Sequence, residues 1–380
     1  MKGLYVHIPF CNSICSYCDF PKIIAKDDLK EAYINKLIIE LDLYKNYNVD
    51  TIFIGGGTPN SLPLKLLEKL LNKLDEFNND VIEYTIELNP ELINEDLVKL
   101  LSKHKINRVS MGVQTFNEKL LKFLGRKHTK SDIINSLTLL RKYNINNINL
   151  DLMFGIPYQT KEDINNDIEQ VLSLDIKHIS YYCLILEDRT ILKYQLDKKL
   201  IEIPDDDFDA DNYYFIKNKL ENNGFIHYET SNYSKCGYES IHNLKYWDSK
   251  EYIGVGAGAS GYLDSYRYDN NRIITKYLES CILDKEFISD EEKKKEFFML
   301  GLRKIEGVSI KEYKDRFNSD PFKDFKLDEL IKNNLIVKED DYIKIKSDKL
   351  FLANQILIEF VGEWNEKDWR PDSFFWGIWF

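Results

Sequence analysis

The chain has 380 residues, with 52 basic and 63 acidic side chains, and its formal net charge is −11. At about 100–200 residues per domain, this length predicts two or three domains. An apolar content of 43% supports a hydrophobic core and excludes a wholly disordered chain. The negative charge argues against a protein that grips nucleic acid. We find neither the pattern of a signal peptide nor about 18 consecutive apolar residues, so we expect a cytoplasmic protein.

The first half of the chain alternates short β-branched or aromatic runs with longer amphipathic stretches, as βα units do. We predict strands near residues 4–8, 51–54, 82–87, 107–111, 147–153 and 178–184. The predicted helices cover residues 27–46, 63–77, 94–103, 131–144 and 161–173. Six such units in succession indicate an α/β fold with a parallel sheet or partial barrel, in which the strand ends converge on one opening.

The βα alternation ends near residue 200. A helix is predicted at about 208–222, and two helices followed by a strand pair at 334–346 resemble a small winged-helix α+β unit. Its balanced charge favours a packing domain over DNA binding. We divide the chain into a barrel, a connecting segment, a C-terminal domain and an aromatic tail of unknown role, over residues 1–230, 231–288, 289–360 and 361–380. The tail holds four of the five tryptophans, Trp364, Trp369, Trp376 and Trp379.

Three cysteines, Cys11, Cys15 and Cys18, crowd into one short segment after the first predicted strand. That spacing lets one loop bind three corners of a [4Fe–4S] cluster. The fourth iron would stay open to the amino and carboxylate groups of S-adenosylmethionine (SAM). A zinc site short of its fourth ligand, or free thiols, would give the same spacing. Cys183 and Cys281 lie in apolar settings and are predicted to be buried thiols.

Polar or glycine-rich residues follow several of the predicted strands. Gly55-Gly-Gly-Thr-Pro59 follows the second strand, and its glycines either let a ligand approach the backbone or only form a tight βα turn. Glu87, Gln114, Arg126 and Asp151 stand at the ends of later strands. Carboxylates there can accept hydrogen bonds from ribose hydroxyls, and an arginine can pair with a carboxylate. Each of the four could equally be a surface cap or a buried ion-pair partner.

A second motif, His242-Asn-Leu-Lys-Tyr-Trp247, combines an imidazole with two large aromatic rings. Imidazole is a common axial ligand of haem iron, and flat apolar rings pack against a macrocycle. The alternative is a His-Asn pair that caps a helix beside core aromatics. Cys236 is a further candidate ligand or a chance surface thiol. His7 is predicted to be structural, and the remaining histidines, His104, His128, His178 and His227, to be ordinary core or surface residues.

The segment Tyr5-Val-His-Ile-Pro-Phe-Cys11, with Cys15-Ser-Tyr-Cys18-Asp-Phe20, resembles the signature of the coproporphyrinogen-dehydrogenase-like group of radical SAM proteins. The similarity covers about residues 3–360. It implies a radical SAM partial (β/α)6 barrel with a C-terminal winged-helix-like domain, and a [4Fe–4S] cluster on the three cysteines. It also implies a SAM site and an inner site, where a second SAM has been placed. The first comprises Tyr5, Tyr17, Gly56, Gly57, Thr58 and Glu87, and the inner site Gln114, Arg126 and Asp151.

Two features distinguish branches of this family. The dehydrogenase carries a fourth cysteine where this chain has Phe20, and phenylalanine can neither ligate iron nor move protons. The second motif matches the His-Asn-x-x-Tyr-Trp sequence of the haem chaperone branch, which implies a haem site. Its residues here are His242, Asn243, Tyr246 and Trp247. We therefore expect a protein that binds haem and transfers it to an acceptor protein, with membrane association left open. The alternative is an oxidase of coproporphyrinogen III or a related porphyrinogen.

Overall fold

Six parallel strands, arranged side by side in chain order, form the centre of the fold. In the computed structural model, which describes residues 1–77 and 80–361, each strand pairs with the next. They are β1 Lys2–Ile8, β2 Val49–Gly56, β3 Glu83–Leu88, β4 Arg108–Gln114, β5 Asn147–Phe154 and β6 His178–Cys183. All six predicted strands are confirmed, and their ends differ from the prediction by three residues at most.

The connections between these strands run through helices that cover the outer face. They are α1 Asp27–Asp42, α2 Leu64–Leu74, α3 Glu95–Lys103, α4 Glu118–Leu124, α5 Lys130–Lys142 and α6 Lys161–Ser173. The last two begin at threonine capping boxes, Thr129 with Asp132 and Thr160 with Asp163. The predicted helices are present, whereas α4 was not predicted. It has only seven residues between its cap Asn117 and Gly125, too few for a clear periodicity.

The remaining sheet strands extend both edges of the parallel core. Beyond β6 the chain forms α7 Ile191–Asp197, α8 Asp206–Asn222, β7 Ile226–Glu229, β8 Asn232–Ser234 and α9 Ile241–Trp247. It continues with β9 Tyr252–Val255, β10 Ser260–Leu263, β11 Tyr266–Asn270, α10 Ile274–Glu279 and β12 Ile282–Phe287. Strand β8 pairs with β6 and strand β9 with β1. The segment predicted as a connection over residues 231–288 thus contributes strands to the same sheet as the barrel.

The C-terminal part is a small helical unit with a three-stranded antiparallel sheet. Its elements are α11 Asp290–Gly301, β13 Val308–Ser309, α12 Ile310–Phe317, α13 Pro321–Asp324, α14 Leu327–Lys332, β14 Ile336–Glu339, β15 Tyr342–Ile345 and α15 Ala353–Ile358. The strand pair predicted at 334–346 is present as β14 and β15. Aromatic rings fill this unit, and Phe298 stacks on Phe360 at 4.9 Å.

Two further predictions from the sequence concern the aromatic tail and helices that could span a membrane. The predicted aromatic tail, with its four tryptophans, lies outside the described residues except for Val361. Among residues 1–77 and 80–361, no helix is both long and apolar enough to cross a bilayer.

Successive side chains of each central strand point to opposite faces of the sheet, which separates an apolar outer layer from a polar interior. On β1, Leu4 and Val6 are fully buried within the core that includes Tyr33 and Leu37 of α1. Tyr5 and His7, on the opposite face of the same strand, line the interior cavity. The fold therefore places Tyr5, one of the predicted SAM contacts, on the inner side of the sheet.

Candidate cofactor and ligand site

A cavity of about 540 Å³ lies inside the sheet, beside the cysteine loop. Three groups of residues form much of its wall. The first is the cysteine-loop segment Tyr17–Pro21, and the second is a set of strand residues that includes Tyr5, Met153 and Tyr182. The third is the stretch of the C-terminal domain that contains Leu350, Phe351, Ala353 and Asn354. A ligand in this cavity would therefore contact both the barrel and the C-terminal domain.

Backbone hydrogen bonds hold the cysteine loop against distant parts of the barrel. The Cys11 N–H donates to the Ile23 carbonyl at 3.0 Å, which closes the base of the loop. The Ser16 N–H donates to the Leu124 carbonyl at 3.0 Å, and the Ser16 carbonyl accepts from the Leu192 N–H at the same distance. The loop is thus fixed at its base and near its tip, which pre-organises its side chains.

The three thiols of this loop are free and differ in exposure, with Cys11 buried and the other two half-buried. Burial raises the pKa of Cys11 to about 11 and also raises the pKa of Cys18. Thr58 Oγ1 donates to Cys11 Sγ at 3.4 Å, and Arg126 Nη1 donates to Cys15 Sγ at 3.8 Å. Buried thiols of this kind would ionise only beside a strongly cationic centre, and iron provides one.

The arrangement also bears on the alternative of a zinc site. Within the described part of the chain, no three His, Cys, Asp or Glu side chains converge closely enough to hold a single metal ion. In a [4Fe–4S] cluster each thiolate binds a different iron, so the sulfurs are spread more widely than the ligands of one ion. The loop therefore fits a cluster better than a mononuclear zinc site.

The glycine turn after β2 packs tightly against the cysteine loop. Gly56 has φ +114°, and a Cβ there would lie 2.6 Å from the His7 ring. A Cβ on Gly57 would lie 2.8 Å from the Phe10 carbonyl oxygen and 3.0 Å from Cys11 Sγ. These contacts require glycine before any ligand is considered. Close approach to a ligand, the reason inferred from the sequence, is thus not the only constraint on this turn.

Two carboxyl groups, Glu87 on β3 and Asp151 on β5, lie on either side of strand β4, and neither forms a salt bridge with a described residue. The Gly56 N–H donates to Glu87 Oε2 at 2.9 Å. Burial, with a smaller effect of nearby Asp151, raises the pKa of Glu87 to about 8. Burial likewise raises the pKa of Asp151 to about 6, although Ser110 and Asn149 donate hydrogen bonds to it. A cationic ligand would compensate these carboxylates, and SAM carries a sulfonium and an ammonium group.

Arg126 and Gln114 meet beside Gly112 on β4. Arg126 Nη2 donates to Asn89 Oδ1 at 2.9 Å and to the Gly112 carbonyl at 2.5 Å. Its buried Nε has no hydrogen-bond partner among the described residues. Gln114 has φ +67° at an irregularity in the pairing of β4 with β5, a backbone state that often marks ligand sites. The unpaired guanidinium nitrogen leaves a position for an acceptor such as a carboxylate.

Two tyrosines predicted to contact SAM, Tyr5 and Tyr17, both line the cavity. The Tyr5 hydroxyl shares a 2.8 Å hydrogen bond with His7 Nδ1, and His7 Nε2 shares one of 3.0 Å with the Pro21 carbonyl. Burial lowers the pKa of His7 to about 4, so its ring is neutral and donates to the carbonyl through Nε2. His7 thereby ties β1 to the end of the cysteine loop, which matches its predicted structural role.

Helix α9, which carries the His-Asn-x-x-Tyr-Trp motif, lies at the other end of the strands. Glu83, the first residue of β3, accepts hydrogen bonds from the N–H groups of Ile241 and His242 at 2.8 and 2.9 Å. Lys245 pairs with Asp50 at 2.8 Å. Both contacts involve the amino ends of strands, and they fix α9 across the base of the sheet.

The four motif residues have different environments. His242 is 1% exposed, and its Nδ1 and Nε2 bond to the hydroxyls of Thr51 and Tyr246, each at 2.9 Å. Burial lowers its pKa to about 3. Tyr246 lines the cavity, Asn243 is buried, and Trp247 lies 5.4 Å from the Arg303 guanidinium. The structure therefore brings Tyr246 to the cavity and keeps the imidazole behind it, with both ring nitrogens bonded.

Several cavity residues were not predicted. Tyr182, Tyr252, Arg272 and the four residues named above from the C-terminal domain line the wall. Cys183, which was predicted to be a buried thiol, also lines it. The ends of β6 and β9 carry no motif, so only their position in the sheet reveals these side chains. Cys236 is exposed and is not part of the cavity wall.

A parallel sheet with a three-cysteine loop after its first strand defines the radical SAM class, and residues 5–171 match the Radical SAM superfamily. Residues 288–347 match the HemN C-terminal domain. Heme chaperone HemW of Lactococcus lactis is 38% identical, over 95% of this chain and 97% of that protein. Heme chaperone HemW of Bacillus subtilis is 36% identical, over 96% and 100%. The chain belongs to the heme chaperone HemW family.

A solved structure shares the fold of this chain. Coproporphyrinogen III oxidase (HemN) from Escherichia coli matches with a TM-score of 0.82 over 94% of this chain and 90% of that one, at 20% identity. The predicted radical SAM fold is confirmed. Membership of the superfamily implies a [4Fe–4S] cluster and SAM as cofactors. The thiol loop, the unpaired Arg126 Nε and the uncompensated carboxyls fit both groups.

Proposed function

We propose that this protein is a haem chaperone that binds haem and transfers it to an acceptor protein. The observation that carries this proposal is the shared cavity, whose wall contains both the cysteine loop and Tyr246 of the haem motif. Its location in the cytoplasm, and an acceptor that is either soluble or membrane-bound, are parts of the same proposal. Nucleic acid is not among the proposed partners, because the net charge is −11.

The cofactor residues are assigned as follows in this proposal. The cluster is held by Cys11, Cys15 and Cys18. SAM is held by Tyr5, Tyr17, Gly56, Gly57, Thr58 and Glu87, and the inner site comprises Gln114, Arg126 and Asp151. Together these groups supply one-electron chemistry when they are bound. In our proposal the protein contributes charge, because the two buried carboxyls balance the ligand's positive charge and the arginine pairs with its carboxylate.

The cavity wall has the chemistry that a porphyrin requires. Tyr182, Tyr252 and Phe351 offer aromatic surface to a macrocycle. Arg272 also lies on the wall, and among the described residues that form it there is no lysine. We therefore assign Arg272 to a haem propionate, as the cation that can pair with a carboxylate there.

Ligation of the iron by His242 requires a rearrangement. The imidazole must give up its hydrogen bonds to Thr51 and Tyr246 and move toward the cavity, past the ring of Tyr246. Two hydrogen bonds of about 1 kcal/mol each resist this movement. An iron–imidazole bond formed on binding would offset that cost.

A haem titration of the anaerobically reconstituted full-length protein tests the proposal. We expect near-stoichiometric binding, and a shifted or weakened Soret band in His242→Ala. His104→Ala is the matched control, since His104 is also buried but bonds to Asp75, whereas His242 bonds to the motif residue Tyr246. An unchanged Soret band in His242→Ala would contradict the assignment of His242 as iron ligand. Absence of haem binding would contradict the proposed function.

The same preparation tests the alternative, oxidation of a porphyrinogen. The fourth cysteine of the dehydrogenase is replaced by Phe20, which lies on the cavity wall. We expect no consumption of coproporphyrinogen III when SAM and a reductant are supplied. Conversion with turnover of SAM would establish the oxidase instead.

A further inference from the structure

His178, which the sequence indicates to be an ordinary histidine, bridges two polar side chains inside the sheet. It is 0% exposed, with Nδ1 2.6 Å from Asn149 Oδ1 and Nε2 2.7 Å from the Tyr228 hydroxyl. Burial, with a smaller effect of nearby Arg108, lowers its pKa well below the ordinary value, so the ring is neutral. Asn149 Oδ1 can only accept, and therefore Nδ1 carries the proton and Nε2 accepts from Tyr228.

These two bonds belong to a longer chain that joins the inner site to helix α9. At one end, Asn149 Nδ2 donates to Asp151 Oδ1 at 2.6 Å. At the other end, the Ser240 N–H donates to the Tyr228 hydroxyl at 3.2 Å, and Ser240 Oγ caps α9 by accepting from the Asn243 N–H. Every donor points from α9 toward Asp151. Bonds aligned in this way polarise one another, so a change at one end affects the whole chain.

Asn149 gives this chain alternative arrangements. Its Nδ2 has two hydrogens but lies within hydrogen-bond distance of three oxygens. They are Asp151 Oδ1 at 2.6 Å, Ser110 Oγ at 2.7 Å and Ser180 Oγ at 2.9 Å. Only two can be satisfied at once. A ligand group that donates to Asp151 competes with Asn149 for that carboxylate and favours donation to the two serines.

We infer that this hydrogen-bonded chain couples occupancy of Asp151 to the position of α9, and hence to release of His242 for haem. The inference rests on the proposed function, since it takes SAM as the ligand near Asp151 and haem as the ligand of α9. SAM shifts Asn149, the shift passes through His178 and Tyr228, and the first turn of α9 loosens. Because coupling between two binding sites is reciprocal, haem raises the affinity for SAM by the same factor. His178 and Tyr228 are positioning residues.

Tyr228→Phe tests the coupling, because it deletes the hydroxyl that joins His178 to Ser240. The matched control is Tyr84→Phe, whose lost hydroxyl is buried and makes no hydrogen bond among the described residues. The primary readout is hydrogen–deuterium exchange of the amides of residues 240–247 with and without SAM, in the full-length, cluster-loaded protein. The second readout is haem affinity with and without SAM. In wild type and Tyr84→Phe, we expect SAM to speed exchange and to strengthen haem binding about fivefold or more.

In Tyr228→Phe we expect SAM to bind but to change neither readout by more than about twofold. The inference is overturned if SAM leaves exchange in wild type unchanged, or if Tyr228→Phe responds as wild type does. If Tyr228→Phe fails to fold, His178→Gln replaces it, since an amide at that position cannot reach both Asn149 and Tyr228. If wild type binds no haem, the proposed function fails, and the exchange measurement still decides whether the chain transmits the effect of SAM.

Discussion

The uncompensated charge of Glu87 should make the ligand-free protein less stable as the pH rises, and Glu87→Gln should remove this effect. Its pKa lies near 8 in the folded chain, against an ordinary value of 4.5. Below about pH 4.5 both folded and unfolded chains hold the proton. Between there and pH 8 the unfolded chain releases it and the folded chain keeps it, so the free energy of unfolding falls as pH rises. Above pH 8 the loss is complete.

The size of the effect follows from the width of that window. Each pH unit in which only the unfolded chain is ionised costs about 1.4 kcal/mol, so wild type loses up to about 3 kcal/mol between pH 6 and pH 9. Because the Glu87 residue is only half-buried, solvent screens part of this cost, and we expect about 1–3 kcal/mol. The glutamine Oε1 can still accept from the Gly56 N–H, so the geometry of the turn is kept.

Melting temperatures of anaerobic, SAM-free protein at pH 6 and pH 9 measure the difference. Wild type should lose several degrees relative to Glu87→Gln over this range, and Glu118→Gln, an exposed carboxyl on α4, should follow wild type. SAM affinity should also rise with pH up to about 8 in wild type and vary less in Glu87→Gln. In wild type, binding of the cationic ligand releases the proton of the Glu87 carboxyl, whereas glutamine has no such proton to release. Parallel pH curves for wild type and Glu87→Gln would refute this reasoning.

Three further results are expected. Replacing any one of the three loop cysteines with alanine should abolish cluster assembly, measured as bound iron and sulfide, whereas Cys183→Ala should retain it; equal loss in both would exclude the three-ligand loop. Tyr246→Phe frees Nε2 of His242 from a hydrogen bond of about 1 kcal/mol, so haem should bind about fivefold more tightly; weaker binding in a haem titration would contradict this. Arg272→Gln should weaken binding of haem but leave binding of haem dimethyl ester unchanged, and equal effects on both would argue against a propionate contact.

The order and position of the central elements could be predicted because their signals are local. The six strands show short β-branched runs, and the spacing of three cysteines within one segment identifies the cysteine loop. Strands of three to five residues, such as β8 and β11, carry too little periodicity to be assigned, so residues 231–288 were interpreted as a connection although they extend the sheet. Their role follows from pairing with distant strands, which no local pattern encodes.

In the candidate site, too, residues with a local sequence pattern could be predicted, whereas contacts between distant residues could not. Motif matching identified Tyr246, but it could not show that the neighbouring His242 is bonded to Thr51, a residue of β2. Likewise, nothing near His178 in sequence indicates Asn149 or Tyr228 as its partners. Such residues meet only because parallel strands and a returning helix bring them together, so their chemistry depends on register and topology.

The wall that Leu350, Phe351, Ala353 and Asn354 contribute to the cavity sets an order of events during synthesis. The cysteine loop needs β1, the turn after β2 and the contact at Leu192, all of which lie within the first 192 of the 380 residues. The cavity closes only when residues near position 354 have emerged and the last domain has docked. Because domains fold in order from the amino terminus, insertion of iron and sulfide can begin on a nascent chain. In contrast, haem can bind in the closed cavity only after nearly the whole protein has been synthesised.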